Sequence, residues 1–445
     1  MPDLHRFHGG IHPWEGKELT NSARIQEAPL LDRYVVLLQQ HIGAPPKPLV
    51  KKNDSVRRGQ LLAEPGGFVS AAIHSPTSGK VKNVGEWLAP TGVKAPAVEI
   101  ESDGEDTPDE ESLAPMEDWE NAAPEELKKR VAAAGIVGMG GAAFPTHVKL
   151  SPPPNKPIDV LILNGVECEP CLTADHRLML EEPERVLAGA AILARILGVK
   201  EVYLGIEENK PDAIERMREK TAGGPVNVVS LHVRYPQGAE KQLIYAVTGR
   251  KVPAGGLPMD VGAVVQNVGT AAAIADAVIR GKPLYERVTT VTGTPLVRPG
   301  NWRLRVGTPL RAVLELAGGV KTDPGKILFG GPMMGLSVYS LDIPILKSTS
   351  GILLLAPEEI SQYTSNACIR CGRCVDACPM NLLPGSLSVA IENERFEMAE
   401  ADHVLDCIEC GCCAFVCPSH RPLVQHFRRA KSEIMARRRA AANKK

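Results

Sequence analysis

Nine of the chain's eleven cysteines fall between Cys368 and Cys417, and their spacing restricts what that segment can fold into. Cys368-Ile-Arg-Cys371-Gly-Arg-Cys374-Val-Asp-Ala-Cys378-Pro379 has the form C-x2-C-x2-C-x3-C-P. Cys407-Ile-Glu-Cys410-Gly-Cys-Cys413-Ala-Phe-Val-Cys417-Pro418 repeats it. A zinc site takes four ligands, commonly as two C-x2-C pairs separated by a longer gap. Two runs of four thiols in one register instead suit iron–sulfur cubanes, because three closely spaced thiolates wrap one face of a cube. Such clustering in a chain with few other cysteines favours metal ligation over cross-linking.

The repeat resembles the bacterial two-cluster ferredoxin run, in which the fourth cysteine of each run crosses to the other cluster. On that pattern Cys368, Cys371, Cys374 and Cys417 hold one [4Fe–4S] cluster, and Cys407, Cys410, Cys413 and Cys378 hold the second. Cys412 breaks the frame and reads as a small residue packed beside a cluster. Two one-electron carriers side by side form a wire. What feeds the wire lies upstream.

With 445 residues the chain is too long for one core and divides into several domains of multidomain α/β and α+β character. After an N-terminal segment (1–48), residues 49–105 carry short apolar runs punctuated by Asn53-Asp54, Gly59 and Ser78-Gly79. That spacing resembles the barrel-sandwich β domain of biotinyl and lipoyl carriers. No lysine lies between Leu62 and Ile73, so a scaffold is expected rather than a swinging arm. Residues 106–124 read as an acidic linker or surface strap: positions 101–120 hold ten acidic side chains and no basic one. From 125 to 287 helical and strand patterns alternate, with strands expected at Ile158–Leu163, Glu201–Ile206 and Val226–Val233. Helices are expected at Glu125–Ala134, Pro183–Gly198 and Pro211–Lys220. Alternation of this kind predicts a doubly wound, mainly parallel sheet. Residues 288–345 read as a small α+β module, 358–430 as the cysteine domain and 431–445 as a basic tail.

Gly138-Met-Gly140-Gly141-Ala-Ala143-Phe144, with Lys149 beyond it, is glycine-rich, but it follows a helix, whereas a dinucleotide fingerprint follows a strand. Glycines admit a phosphate or flat ring close to backbone N–H groups, and Lys149 adds a point charge. The next strand ends in Asn164-Gly-Val-Glu167-Cys-Glu169-Pro-Cys171, polar residues at the carboxyl end of a strand where α/β sheets bind ligands.

The glycine loop resembles that of the NADH- and flavin-binding subunit of respiratory complex I. The closer resemblance is to the RnfC family, the C subunits of the Rnf (Rsx) ion-translocating electron transport complexes. It is carried by His8-Gly-Gly-Ile-His-Pro, Gln40-His41-Ile-Gly, Asn164-x-x-Glu-Cys-Glu-Pro, Gly205-Ile-Glu-Glu-Asn-Lys210, Lys241-Gln-Leu-x-Tyr, Val265-Gln-Asn267-Val-Gly-Thr270 and the cysteine tail. The match spans nearly the whole chain in the same domain order. It implies FMN held by Gly138, Gly140, Gly141, Lys149, Asn164, Glu207, Glu208, Asn267 and Thr270. It implies NADH stacking near Phe144, with Glu167 and Glu169 orienting the nicotinamide ribose, and a β-grasp module of the soluble-ligand-binding type at 288–345. It further implies electron transfer from NADH through FMN and the clusters to integral membrane and iron–sulfur partner subunits, and indirectly to ferredoxin. Ala143 departs from the family, standing where related loops carry glycine and placing a methyl beside the expected ligand. Cys171 and His176 replace an aromatic residue and an aspartate, and Cys168 and Cys171 are expected to stay unpaired.

A formal net charge of −1 and 4% aromatic content exclude a nucleic-acid field or stacking surface as the basis of function. The longest apolar stretch, Val186 to Val199, is broken by Arg195, and no apolar leader follows Met1. The chain is therefore expected on the cytoplasmic side of a membrane as a peripheral subunit. The tail reads as a solvated helix end, with anionic lipid as the competing contact. Two other functions share these modules: a flavin and iron–sulfur cobalamin reductase, and a cluster wire whose flavin domain is inactive.

Overall fold

The computed structural model describes residues 6–361 and 363–442. Its N-terminal β domain packs two sheets face to face. One is antiparallel, in the order Arg33–Leu37, Lys94–Ser102, Gly79–Leu88 and Ser55–Val56; the other joins Lys47–Pro48, Leu61–Glu64 and Ile73–His74. Alternation along the strands turns Val36, Val81, Val98 and Ile100 inward against Leu62 and Ile73. Strand Arg33–Leu37 comes from the N-terminal segment, so the sandwich starts earlier in sequence than its turn pattern suggested. The tip between Leu62 and Ile73 is docked: the Phe68 carbonyl lies 3.0 Å from His147 Nε2, and the Lys347 ammonium donates to the Ala72 carbonyl at 2.7 Å and to the Gly135 carbonyl at 2.8 Å. A tip held this way cannot swing.

The acidic stretch is a strap with anchors, not a free linker. Asp106 pairs with Arg58 and Arg305, each at 2.5 Å, while Leu113, Met116 and Trp119 pack on the central core.

That core belongs to a four-stranded, wholly parallel sheet in the order Val226–Leu231, Glu201–Glu207, Val160–Asn164, Ala263–Asn267. Leu161, Leu163, Val202, Leu204 and Ile206 point to one face, under helices Pro124–Ala133, Pro183–Leu197 and Val268–Ile279. Val160, Ile162 and Val265 point to the other, under helix Glu240–Thr248. Near-continuous apolar strands are what burial on both faces requires. Gly189 has no room for a side chain, since a Cβ there would sit 1.9 Å from the Ala271 carbonyl oxygen, and this lets two helices cross closely.

A six-stranded mixed sheet follows, in the order Ile25–Glu27, Gly300–Arg305, Glu286–Thr292, Gly351–Leu355, Lys326–Phe329, Leu336–Val338. The module thus runs beyond both ends of the 288–345 segment and recruits a strand from the N-terminus. The cysteine domain is helical, with Pro384–Glu392, Phe396–Ala401 and Leu423–Ala442 around Leu387, Ile391, Phe396, Phe427 and Ile434. Basic residues of the last helix are ion-paired, Arg429 with Glu394 at 2.6 Å, Arg438 with Glu400 at 2.5 Å and Arg437 with Glu397. These ion pairs lie on the surface, with each arginine about half exposed. No helix among the described residues is long and apolar enough to cross a membrane.

Candidate functional site

In the parallel sheet the chain runs outward from Val160–Asn164 in one direction and returns to its other side as Ala263–Asn267. Strand order reverses between these two strands, and their last residues, Asn164 and Asn267, are register partners. Such a reversal opens a crevice at the carboxyl ends of the strands, the usual ligand position in an open α/β sheet. The glycine loop lies over it. A Cβ on Gly140 would come within 3.1 Å of Asn267, whereas one on Gly141 (φ 156°) would meet nothing within 4 Å, so the loop presents bare backbone to open space. The loop is held at Met139. The Met139 N–H donates to the Thr270 hydroxyl at 2.9 Å, and buried Arg287 donates to the Met139 carbonyl at 3.3 Å.

Asn267 caps helix Val268–Ile279 by accepting from the Gly269 and Thr270 N–H groups, and its amide donates to Asp175 at 2.6 Å. Asn164 donates to the Gly238 carbonyl at 2.8 Å. Lys149 reaches Glu240 at 2.5 Å and the Val265 carbonyl at 3.1 Å. Next to Gly238, fully buried Gln237 has neither amide atom hydrogen-bonded within the protein. Open glycine backbone, paired asparagine amides and an orphaned buried amide fit a flat ligand with polar edges and a phosphate tail.

Beside the crevice runs the acidic loop. Glu167 is at φ 44° and accepts from the Asp175 and His176 N–H groups at 2.8 and 3.1 Å, capping helix Ala174–Glu181. Glu169 accepts from the Met333 and Met334 N–H groups at 2.8 and 3.1 Å, and burial pushes its carboxyl up. Sequence reasoning missed what secures this loop. The Lys17 ammonium donates to the carbonyls of Glu167, Glu169 and Leu172 at 2.9, 3.0 and 2.5 Å, although only 8% of the residue is exposed. The signal was present in the His-Pro-x-x-x-Lys stretch after Gly9-Gly10, but nothing local says that Lys17 turns inward. Asp175 lies further along the same polar stretch. Burial and the adjacent Glu167 raise its carboxyl to about 7.

Other expected residues stand apart from the asparagine pair. Glu207 is buried, accepts from the Arg234 N–H at 3.2 Å and faces Lys210 at 3.5 Å, with burial raising its carboxyl. Glu208 lines an exposed groove with Pro211, Ile214 and Arg218 and pairs with His232. Phe144 is half-buried, its carbonyl accepting from the Gly138 N–H at 2.8 Å. Ala143 is 4% exposed and belongs to the hydrophobic core, and its φ of 51° is the left-handed geometry that favours glycine. Buried Cys171 packs by Gly16, and burial pushes its thiol up to about 12, while His176 meets Asp212 at 2.8 Å. No two of the eleven cysteines form a disulfide.

The two cysteine runs fold alike. Arg370 and Glu409 both sit at φ 57°, and Gly372 and Gly411 at 79° and 82°, so each run turns its backbone inward in the same way. Cys407, Cys410 and Cys413 line one cavity together with Cys378, the fourth cysteine of the other run. The thiols of Cys368 and Cys374 converge within 3.7 Å of the Cβ that Gly385 lacks, and Cys417 perturbs Cys374 electrostatically. The fold thus brings Cys378 to the three leading cysteines of the second run, and Cys417 near Cys374 of the first. Among the described residues no three His, Cys, Asp or Glu side chains close tightly enough for a single ion. A cubane takes each thiolate at a separate iron. The Glu409 N–H donates to the Cys407 sulfur at 3.3 Å and the Leu382 N–H to the Cys378 sulfur at 3.4 Å, as thiolates bound to a cluster require. Burial pushes the Cys407 thiol up to about 11, so the thiolate form relies on bound iron. Cys412 is fully buried beside Cys410 and Tyr235, in keeping with a packing role.

These parts define a class: an iron–sulfur electron carrier whose two-cluster domain is joined to a flavin-type α/β domain. The domain comparisons agree. Residues 131–276 match the Nuo51 FMN-binding domain, 5–105 the RnfC barrel sandwich hybrid domain, 288–337 the SLBB domain and 361–418 the 4Fe-4S dicluster domain. The chain is 48% identical to the C subunit of the proton-translocating ferredoxin:NAD(+) oxidoreductase complex of Clostridium ljungdahlii, over 97% of this chain and 95% of that one. It is 46% identical to the Na(+)-translocating counterpart of Acetobacterium woodii, over 97% and 98%. Among solved structures, a NAD+-reducing [NiFe]-hydrogenase aligns with a TM-score of 0.49 at 20% identity, over 73% of this chain and 68% of that chain. The chain belongs to the RnfC family, the C subunits of the ion-translocating ferredoxin:NAD oxidoreductase complexes. It is an oxidoreductase subunit with FMN-binding and two-cluster iron–sulfur domains.

Proposed function

We propose that this chain is the NADH-oxidising, peripheral subunit of such a complex, lying on the cytoplasmic side of the membrane against integral and iron–sulfur partner subunits and linked through them to ferredoxin. FMN, when bound, converts the two-electron hydride of NADH into single electrons that an iron–sulfur cluster can accept. The residues of the chain supply position and electrostatics. Gly138, Gly140 and Gly141 offer backbone N–H groups to the cofactor. Asn164, Asn267 and Thr270 bracket its polar edge, and Lys149 supplies charge for a phosphate. Phe144 offers a stacking face for the nicotinamide, with Glu167 and Glu169 aligning its ribose. Glu207 acts beneath the site through Lys210, and Glu208 lies at its rim. The parallel sheet is read as doubly wound and the six-stranded module as a β-grasp of the soluble-ligand-binding type.

One contact carries the reading. Tyr235, from the flavin-type domain, donates its hydroxyl to the Cys410 carbonyl at 2.8 Å, so a cluster ligand abuts the domain that receives the hydride. Anaerobic NADH titration of the purified chain tests it. About one FMN and eight irons per chain are expected, with the flavin absorbance bleaching before paramagnetic cluster signals develop. Iron-replete protein with no flavin, or with flavin that NADH does not bleach, refutes it.

A further inference from the structure

The two cysteine quartets have unlike surroundings. Cys378, Cys410 and Cys413 are each 7% exposed, and their quartet faces inward. Gly10 donates to the Ala377 carbonyl at 2.9 Å, Gln242 to the Pro379 carbonyl at 3.0 Å, and Gly255 to Asp406 at 2.8 Å. Cys168, between Glu167 and Glu169 on the acidic loop, packs with Met333 against Cys410 and Cys412. The other quartet looks outward. Cys371 is exposed, and so is every residue from Ile369 to Arg373. Ile369 is 66% exposed and Leu383, two residues before the glycine that touches Cys368 and Cys374, is 52% exposed. The guanidinium groups of Arg370 and Arg373 have no hydrogen bond or ion pair among the described residues, unlike the paired arginines of the last helix. Two unpaired guanidiniums and an apolar side chain therefore ring an exposed cluster ligand.

Resting on the function proposed above, we infer that the Ile369–Arg373 face is the electron port of the chain and docks an acidic redox protein that carries a one-electron centre. Burial orders the route: the crevice, then the Cys378/Cys407/Cys410/Cys413 quartet, then the Cys368/Cys371/Cys374/Cys417 quartet, then the partner. Oxidation of one NADH yields NAD+, one proton released to solvent and two electrons, which leave in two one-electron transfers to two oxidised partner centres. Unpaired arginines at the port steer an acidic surface toward it, and Ile369 supplies apolar contact at the centre.

The test uses the full chain reconstituted with anaerobic membranes from a strain that lacks this protein and retains the rest of the complex. The variants are Arg370→Glu/Arg373→Glu, the milder Arg370→Gln/Arg373→Gln, and Lys51→Glu/Lys52→Glu as a distant control. NADH bleaching and iron content of each purified chain are measured first. Failure of wild type there defeats the proposed function rather than the port. Charge reversal is expected to lower NADH-driven reduction of the membrane acceptors about tenfold or more at low salt, with the glutamine pair intermediate and the control unchanged. The wild-type rate is expected to fall as salt rises. Should the glutamate pair lose its clusters, the glutamine pair carries the test. Rates within twofold of wild type overturn the inference, as does an equal loss in the control. So does binding to protein-free phosphatidylserine vesicles that the arginine variants abolish, because the port would then face lipid.

Discussion

Lys17 offers the sharpest test of how the acidic loop is held. Its ammonium donates to three carbonyls of the Glu167–Leu172 loop from a buried position, and among the described residues no other cation is hydrogen-bonded to all three. Lys17→Met keeps the stem and its packing but removes every donor. A buried acceptor left without a partner costs about 1–3 kcal/mol, so three lost bonds set a ceiling of roughly 3–9 kcal/mol. Against this stands relief from desolvating an ammonium, itself several kcal/mol, the same burial that pushes the Lys17 pKa down. The expected net loss is about 3 kcal/mol, which corresponds to roughly a hundredfold in an equilibrium constant. Because the chain has several domains, a single unfolding free energy would blur this effect, and the loop is better read locally. We expect the KM for NADH to rise by tenfold or more, with faster proteolysis near Glu167, while iron content stays at the wild-type level. Lys17→Arg should recover little, since a planar guanidinium spreads its donors instead of gathering three on one nitrogen. Wild-type KM and proteolysis in Lys17→Met would refute the reasoning.

Asp175, with its carboxyl raised to about 7, links stability to pH. An unfolded aspartate titrates near 4, so between about pH 4 and 7 the folded chain keeps a proton that the unfolded chain has lost, and stability falls as pH rises through that window. Asp175→Asn cannot ionise and should gain on wild type from pH 5 to pH 8 in thermal melts; an equal gap at both would contradict this. For the crossed ligation, Cys378→Ser should give the same spectrum as Cys407→Ser, with about four irons left. A Cys378→Ser spectrum that matches Cys374→Ser instead would show that each run holds its own cluster. Ala143→Gly removes a left-handed strain of about 1 kcal/mol and a buried methyl worth about 0.8 kcal/mol, so stability should hardly change. FMN affinity should also be unaltered, and a shift above fivefold would mean that the methyl reaches the ligand after all.

What the sequence determined by itself is local or periodic. A cluster domain could be read because eight thiols at fixed intervals leave few alternatives, whereas the crossed assignment came from the resemblance to two-cluster ferredoxins. Alternating strands and helices from 125 to 287 revealed a parallel sheet because strands buried on both faces are written as apolar runs such as Val160-Leu-Ile-Leu163. Tertiary structure decided everything that depends on which distant segments meet. Strand Ile25–Glu27 joins a sheet whose other members begin at Glu286, a pairing no local pattern encodes. Lys17 reaches the acidic loop across 150 residues, and only folding shows that a lysine near the N-terminus is buried against carbonyls. That Ala143 of the glycine loop takes a left-handed φ and is buried was likewise visible only in the fold. The inward and outward quartets share one spacing and differ only in what packs on them. Spacing specifies which atoms can bind; burial against other domains, a property of the whole chain, specifies which of the two is enclosed and which faces solvent.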